Sequence, residues 1–86
     1  TSERLQRVER AEQVLRDLGW GEFRVRLHAD EVARLEVPAA SIERLASVDT
    51  RTQVVRELKQ LGFRYVTLDL EGFRSGSLNP VFQIAK

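Results

Sequence analysis

The 86-residue sequence contains no cysteine and no methionine, and it has a single histidine. The lack of cysteine excludes disulfides, zinc–thiolate centres, iron–sulfur ligation and a nucleophilic thiol within this stretch of chain. A lone histidine does not provide metal-ligand spacing, and no Ser-His-Asp set is present. We therefore expect no catalytic nucleophile here, and we interpret His28, at the end of a predicted strand, as structural or solvated.

The sequence also lacks an excess of one charge and any long apolar run. Fourteen basic residues against thirteen acidic ones leave a formal net charge of +1, whereas nucleic-acid binding usually requires a strongly basic surface. No apolar run approaches the ~18 residues that cross a bilayer, and no export leader is recognisable. We accordingly expect no nucleic-acid partner, no membrane partner and a cytoplasmic location.

The first residue is Thr1 rather than methionine. A domain excised from a larger protein explains this, and removal of an initiator methionine is the alternative. A chain of this length forms one domain with a thin core, so we expect it to gain stability from a partner surface. Apolar residues near the end, Val81, Phe82 and Ile84, lead us to expect a homo-oligomer.

Apolar residues at helical spacing predict two main helices. The first covers Glu3–Leu18 and ends at Gly19, a natural position for a left-handed residue. A short helix is predicted over Ala39–Ala46. The second main helix is predicted to be capped by Asp49 or Thr50, with Gln53 completing a capping box, and to end at Gly62.

Alternating apolar and polar residues predict three strands. These are Glu22–His28, Val32–Val37 and Phe63–Leu70, with residues 29–31 as the loop of a hairpin between the first two. Val66, Leu68 and Leu70 are expected to face the core. The order α-β-β-α-β predicts an α+β fold of two layers, in which two main helices cover one face of a three-stranded sheet. A right-handed crossover is expected between the second and third strands.

The other face of the predicted sheet carries most of the strand charges. With residues 29–31 as the loop, Arg26 lies opposite Arg34 and Arg24 lies opposite Glu36. Like charges that face each other are unfavourable unless an anion or a carboxylate lies between them. This face is therefore either an anion site built from Arg24, Arg26 and Arg34 or a solvated face with weak ion pairs.

Two other features allow a functional or a structural interpretation. Glu12 lies at the edge of the apolar stripe of the first helix, where its carboxylate either meets a cation or reaches water over its own stem. The Gly-Ser-rich segment Gly72–Asn79 either offers backbone N–H groups to an anion or forms an ordinary loop.

Residues 62–79, GFRYVTLDLEGFRSGSLN, closely resemble the C-terminal signature of the LarE family. Residues 25–28, VRLH, with residues 33–38, ARLEVP, are similar to the hairpin of that family, and residues 7–12, RVERAE, to its preceding helix. LarE proteins are ATP-dependent sacrificial sulfur transferases of the PP-loop superfamily. The resemblance covers nearly the whole chain.

The resemblance implies a reaction and partners for the full-length protein. An N-terminal PP-loop domain uses ATP and magnesium to adenylylate a carboxylate of a nicotinate-derived pyridinium dicarboxylate mononucleotide. Sulfur from a protein cysteine or an iron–sulfur cluster then replaces AMP. The thiocarboxylate product is used for the nickel-pincer cofactor of lactate racemase.

The resemblance also implies roles for particular residues. Arg24 and Arg26 match ligands of the substrate phosphate, with Arg34 as a weaker candidate from the strand pattern. Glu12, and more weakly Glu43, match acidic residues of the family that are candidates for metal or substrate binding.

The sequence departs from the family in three places. The Ser-Gly-Gly ATP motif and the sulfur-donating cysteine are missing, and the residues from Pro80 onward differ from the usual ending. We therefore expect the 86 residues to be a single C-terminal domain without its PP-loop domain. The alternative is a stand-alone, non-catalytic module that binds a partner or a small anion.

The missing phosphate-binding loop generates a first prediction. The purified chain is expected to release no pyrophosphate from ATP, because it lacks the Ser-Gly-Gly motif that would hold the nucleotide phosphates. Pyrophosphate release is measured against a buffer control. A signal that rises in proportion to protein concentration would contradict the expectation.

Overall fold

The computed structural model describes residues 2–73 as an α+β domain with a three-stranded sheet. In chain order its helices and strands are α1 (Ser2–Asp17), β1 (Arg24–His28), β2 (Val32–Glu36), α2 (Ile42–Ala46), α3 (Val48–Gln60) and β3 (Tyr65–Leu68). One short 3₁₀ turn, Ala29–Glu31, follows β1, and another, Ala39–Ser41, precedes α2. The predicted fold class and element order are confirmed.

The strands lie in the order β1-β2-β3, with β1 antiparallel and β3 parallel to the central strand β2. The hairpin register is the predicted one, with Arg24 opposite Glu36 and Arg26 opposite Arg34. The handedness of the β2-to-β3 connection stays a prediction. Within residues 2–73, no helix is long and apolar enough to cross a membrane.

The core lies between the sheet and the two main helices. Its buried members come from every layer of the fold: Ala11, Leu15, Trp20, Val25, Ala33, Leu35, Val37, Leu45, Val54, Leu58 and Phe63. The alternation of the strands places Val25, Ala33 and Leu35 on the covered face, so the charged residues between them lie on the opposite face. That opposite face is called the outer face below.

Both main helices end in the same way. Gly19 has a φ of 97° and donates its N–H to the Arg16 carbonyl, while the Trp20 N–H bonds to the Leu15 carbonyl. Gly62 has a φ of 108°, and the Phe63 N–H bonds to the Leu58 carbonyl in the equivalent position. These are Schellman motifs, in which a glycine reverses the chain and the next residue packs onto the helix it has left. Trp20 and Phe63 are buried in the core, which anchors the chain between α1 and β1 and between α3 and β3.

The hairpin loop contains two consecutive non-glycine residues at positive φ, Asp30 at 64° and Glu31 at 57°. Such a backbone is unfavourable for glutamate and needs support from its surroundings. Glu31 receives that support from its carboxylate, which binds Arg4 and Arg7 of α1, and from its carbonyl, which accepts the Arg64 N–H at 2.8 Å. The loop is therefore held by α1 and by the approach to β3.

The predicted start of the second main helix was wrong. α3 begins at Val48, and its N-cap residue is Ser47, whose hydroxyl donates to the Arg44 carbonyl at 2.9 Å instead of capping α3. The extended backbone of Ser47 separates α2 from α3, so Asp49 and Thr50 lie inside the first turn. The proposed Thr50–Gln53 capping box consequently does not form.

The third strand is shorter than predicted, because the chain turns immediately after β3. Val66 and Leu68 pack against the core as expected, whereas Leu70 is 79% exposed and does not. Asp69 accepts the Gly72 N–H with its carbonyl and the Glu71 N–H with its carboxylate, at 3.1 and 2.9 Å. This turn directs the chain back across the end of β2.

Gly72 allows that return. Its φ is 79°, and a Cβ at this position would lie 3.0 Å from the Cα and the N of Ala39. Beyond it, the Phe73 N–H donates to the Val37 carbonyl at 2.9 Å. Only Gly72 and Phe73 of the predicted Gly72–Asn79 loop are described, and the apolar tail with Val81, Phe82 and Ile84 lies outside the described residues.

Gly72 is required both for its positive φ and for its close approach to Ala39, and three alanine substitutions separate these two requirements. Gly19→Ala is expected to cost about 1–2 kcal/mol, because it imposes a left-handed backbone on alanine in open space. Gly72→Ala is expected to cost more, because the methyl group also meets the backbone of Ala39. Gly21→Ala, with open space and no positive φ, is the control and should stay within about 0.5 kcal/mol. Urea unfolding measures all three, and equal losses for Gly72→Ala and Gly21→Ala would contradict the assignment.

Candidate functional site

The outer face of the sheet carries a network of alternating charges that crosses all three strands. Its members are Arg26 on β1, Arg34 and Glu36 on β2, and Asp69 directly after β3. The strand order places β2 in the middle, so its side chains have neighbours on both sides. Glu36 is consequently only 9% exposed, although it lies on the face that none of the helices of residues 2–73 covers.

Glu36 lies between the two opposing arginines. Its Oε2 accepts a hydrogen bond from Arg34 Nη2 at 2.8 Å, and its Oε1 lies 3.6 Å from Arg26 Nε. The first contact is a charge-assisted hydrogen bond, whereas the second is too long for one and acts through charge alone. The carboxylate that the sequence required between Arg26 and Arg34 is therefore supplied by the protein itself.

Of the three arginines, Arg34 has the most contacts with carboxylates. Besides its bond to Glu36, its Nε lies 3.9 Å from Asp69 Oδ2, beyond hydrogen-bonding distance. This Nε is buried and has no hydrogen-bond partner among the described residues. Asp69 is placed by the end of β3, where its N–H donates to the Leu35 carbonyl at 2.9 Å.

Arg24 is held differently. It stands opposite Glu36 in the register, yet its guanidinium lies over the ring of Phe73, with Cζ 4.9 Å from the ring centroid. Within residues 2–73 it forms no ion pair with a carboxylate. An aromatic face orients a guanidinium without using its five N–H donors. Arg24 is thus positioned but retains its hydrogen-bonding capacity.

Arg24 and Arg26 are two residues apart on one strand, so their side chains leave the same face with Cα atoms about 7 Å apart. Both are exposed, and β1 is an edge strand of the described sheet. The structure therefore places the two arginines on the same face of β1, and Arg34 lies opposite Arg26 across the hairpin, bonded to Glu36.

Glu12 occupies the predicted edge of α1 and is half-buried. One helical turn before it, Val8 lines an open groove together with Val25 and Arg26. One turn after it, Arg16 Cζ lies 5.8 Å from the Phe23 ring. Glu12 therefore lies on the side of α1 that runs along β1, on the covered side of the sheet, whereas Arg24 and Arg26 project from the outer face. It forms no ion pair with any of residues 2–73.

The remaining candidates form no ion pair with any of residues 2–73. Glu43 is exposed in the first turn of α2. His28 is exposed at the end of β1, where it lines the groove between β1 and α1. Among the described residues, no three histidine, aspartate or glutamate side chains lie close enough to hold a metal ion.

Sequence reasoning missed the contributions of Glu36, Asp69 and Phe73. The register already placed Glu36 diagonal to Arg26 and two residues from Arg34, which is a usable signal for a shared carboxylate. Nothing in the local sequence indicated that Phe73 contacts Arg24, because that contact depends on the turn after β3.

Two curated proteins are similar to this chain. It is 49% identical, over all 86 residues, to the pyridinium-3,5-bisthiocarboxylic acid mononucleotide synthase of Lactiplantibacillus plantarum. It is 46% identical, over 81 residues or 94% of its length, to an uncharacterized protein of Synechocystis sp.. The chain spans 30% of the length of each of these relatives, and no family model matches it.

The two contacts of Glu36 generate a prediction about stability. Arg34→Ala is expected to destabilise the fold by roughly 1.5–3 kcal/mol, because it leaves the buried Glu36 carboxylate without its hydrogen bond. Arg26→Ala, the matched control, removes a longer contact of a side chain that is 44% exposed and should cost less than about 1 kcal/mol. Urea unfolding at neutral pH distinguishes the two. A larger loss for Arg26→Ala would mean that Glu36 depends mainly on β1.

Proposed function

We propose that the chain is the C-terminal domain of a cytoplasmic, LarE-like, ATP-dependent sulfur transferase. Within that enzyme it binds the phosphate of a nicotinate-derived mononucleotide substrate through Arg24 and Arg26. The similarity to a mononucleotide synthase over the whole chain supports the enzyme class. The geometry of the β1 edge supports the anion site.

The observation that carries the proposal is the placement of Arg24. Its guanidinium is oriented by the Phe73 ring and has no carboxylate partner within residues 2–73. A positioned guanidinium with unused donors suits a phosphate, because two parallel N–H···O bonds can form at once.

Arg26 provides the second ligand. It points from the same face two residues along β1, and its contact with Glu36 at 3.6 Å leaves its guanidinium donors without a close hydrogen bond to that carboxylate. A tetrahedral phosphate has enough oxygens to accept bonds from both arginines. Arg34 has the weaker role, because its Nη2 is already bonded to Glu36.

The name of the relative indicates which anion to expect. A mononucleotide carries one phosphate monoester, which holds between one and two negative charges at neutral pH. In this proposal the arginines hold that phosphate, and Glu12 is an acidic group that contributes to metal or substrate binding. Glu43 is a weaker candidate for such a role.

The rest of the reaction belongs to the remaining part of the full-length protein. ATP and magnesium bind to its N-terminal PP-loop domain in this proposal, and the sulfur donor also lies outside these 86 residues. That domain and further copies of the same protein are the proposed partners. The thiocarboxylate product would serve the nickel-pincer cofactor of lactate racemase.

A stand-alone module that binds a small anion is the second candidate. It is favoured by the fact that Arg24, Arg26 and the ring that orients Arg24 all belong to this chain. The encoding gene separates the two candidates. Continuation upstream into a Ser-Gly-Gly motif and a cysteine supports the enzyme, and an immediate start codon supports the module.

The anion site is tested by phosphate titration of the 86-residue chain at low salt, followed by NMR shifts of amide and arginine Nε–H groups. We expect millimolar binding, because the site is open to water, and about tenfold weaker binding in Arg24→Ala or Arg26→Ala. Raising the ionic strength from about 0.01 to about 1 M should abolish it, because the Debye length falls from about 30 to about 3 Å.

Arg56→Ala is the matched control, since it removes the same charge from an exposed position on α3 that takes no part in the network. It should change the affinity for phosphate less than twofold, because an exposed charge away from the site contributes little. Shifts that avoid β1, or equal weakening by all three substitutions, would remove the support for a phosphate site.

A further inference from the structure

Glu36 combines burial with an unequal pair of contacts. It is 9% exposed, and one oxygen is bonded to Arg34 at 2.8 Å while the other lies 3.6 Å from Arg26. The Arg34 side of this carboxylate is fixed by a hydrogen bond, and Arg34 itself is further held near Asp69. The Arg26 side has no such bond, so Arg26 can leave Glu36 without breaking one.

We infer that Glu36 is the resident counterion of the anion site and competes with the incoming phosphate for Arg26. This inference rests on the function proposed above. Because Arg34 keeps Glu36 in place, the carboxylate stays beside the site when the ligand arrives. The ligand must draw Arg26 away from Glu36, and it also meets the repulsion of a nearby negative charge.

The charges of the outer face show what this competition does. Arg24, Arg26 and Arg34 carry three positive charges, and Glu36 and Asp69 carry two negative ones, so the set has a net charge of +1. Removal of the Glu36 charge would raise it to +2. Glu36 contacts Arg26, whereas Asp69 contacts only Arg34, so it is the Glu36 charge that lowers the affinity of the site and keeps the bound phosphate exchangeable. In the empty site Glu36 offsets the repulsion between Arg26 and Arg34.

Glu36→Gln tests the inference, because glutamine keeps an oxygen that can accept the Arg34 hydrogen bond while the charge is removed. Phosphate titration by NMR should show about tenfold tighter binding, equivalent to about 1.4 kcal/mol. Asp69→Asn is the matched control, since it removes a carboxylate from the same network that contacts Arg34 but not Arg26. It should change the affinity by less than about twofold.

The charge of the ligand provides a readout that a structural role would not affect. Repulsion by Glu36 grows with the charge of the anion, so Glu36→Gln should strengthen the binding of sulfate, a dianion, more than that of formate, a monoanion. An equal gain for both anions, an unchanged affinity or weaker binding in Glu36→Gln would overturn the inference.

A measurement on the unsubstituted chain covers the case in which Glu36→Gln does not fold. Phosphate should shift the Nε–H signal of Arg26, which lies next to Glu36, and leave that of Arg34 nearly in place. Absence of a selective Arg26 shift would overturn the inference.

The outcomes distinguish this inference from the proposed function. If Arg24→Ala and Arg26→Ala weaken binding but Glu36→Gln does not strengthen it, the inference fails and the phosphate site stands. If only Glu36→Gln binds phosphate, the inference is supported and the site is too weak in the native chain. If neither protein binds phosphate, both fail.

Discussion

The outer face of this domain depends on one buried carboxylate. The hairpin register places Arg26 directly opposite Arg34, an arrangement that is unfavourable unless a negative charge lies between the two guanidinium groups. Glu36 provides that charge, and its position on the central strand leaves it only 9% exposed. Through Arg34 and Asp69 the same carboxylate connects β1 and β2 to the end of β3. The positive charges needed for an anion site can therefore coexist on a small sheet.

The turn after β3 explains why distant parts of the sequence act together. Asp69 ends the strand beside Arg34, and Gly72 then lets the chain pass close to Ala39. Phe73 consequently reaches the ring contact with Arg24, forty-nine positions earlier in the chain. Residues 62–73, the described part of the stretch that resembles the LarE signature, thus contact the hairpin that carries the arginines. In the proposed enzyme, Phe73 orients Arg24 and Glu36 restrains Arg26, the two arginines that bind the phosphate.

The edge of β1 carries two arginines whose hydrogen-bond donors are not taken up by a close carboxylate among residues 2–73. Arg24 keeps its donors, and Arg26 has only a long contact with Glu36. Each of these features is ordinary by itself, since exposed charges contribute little to stability. Their placement at one edge, beside a groove that Arg26 also lines, is what favours ligand binding over a merely solvated surface.

Local sequence determined the helices, the hairpin and the register. Helical spacing, the glycines that precede Trp20 and Phe63, and strand alternation are encoded in neighbouring residues, so they could be predicted directly. The start of α3 and the length of β3 could not, because Ser47 and Asp69 act through backbone geometry that their neighbours do not reveal. The candidate arginines followed from alternation. Their different roles were decided only by tertiary structure, because the burial of Glu36 needs a strand on each side and the Phe73 ring reaches Arg24 only after the chain turns back across β2.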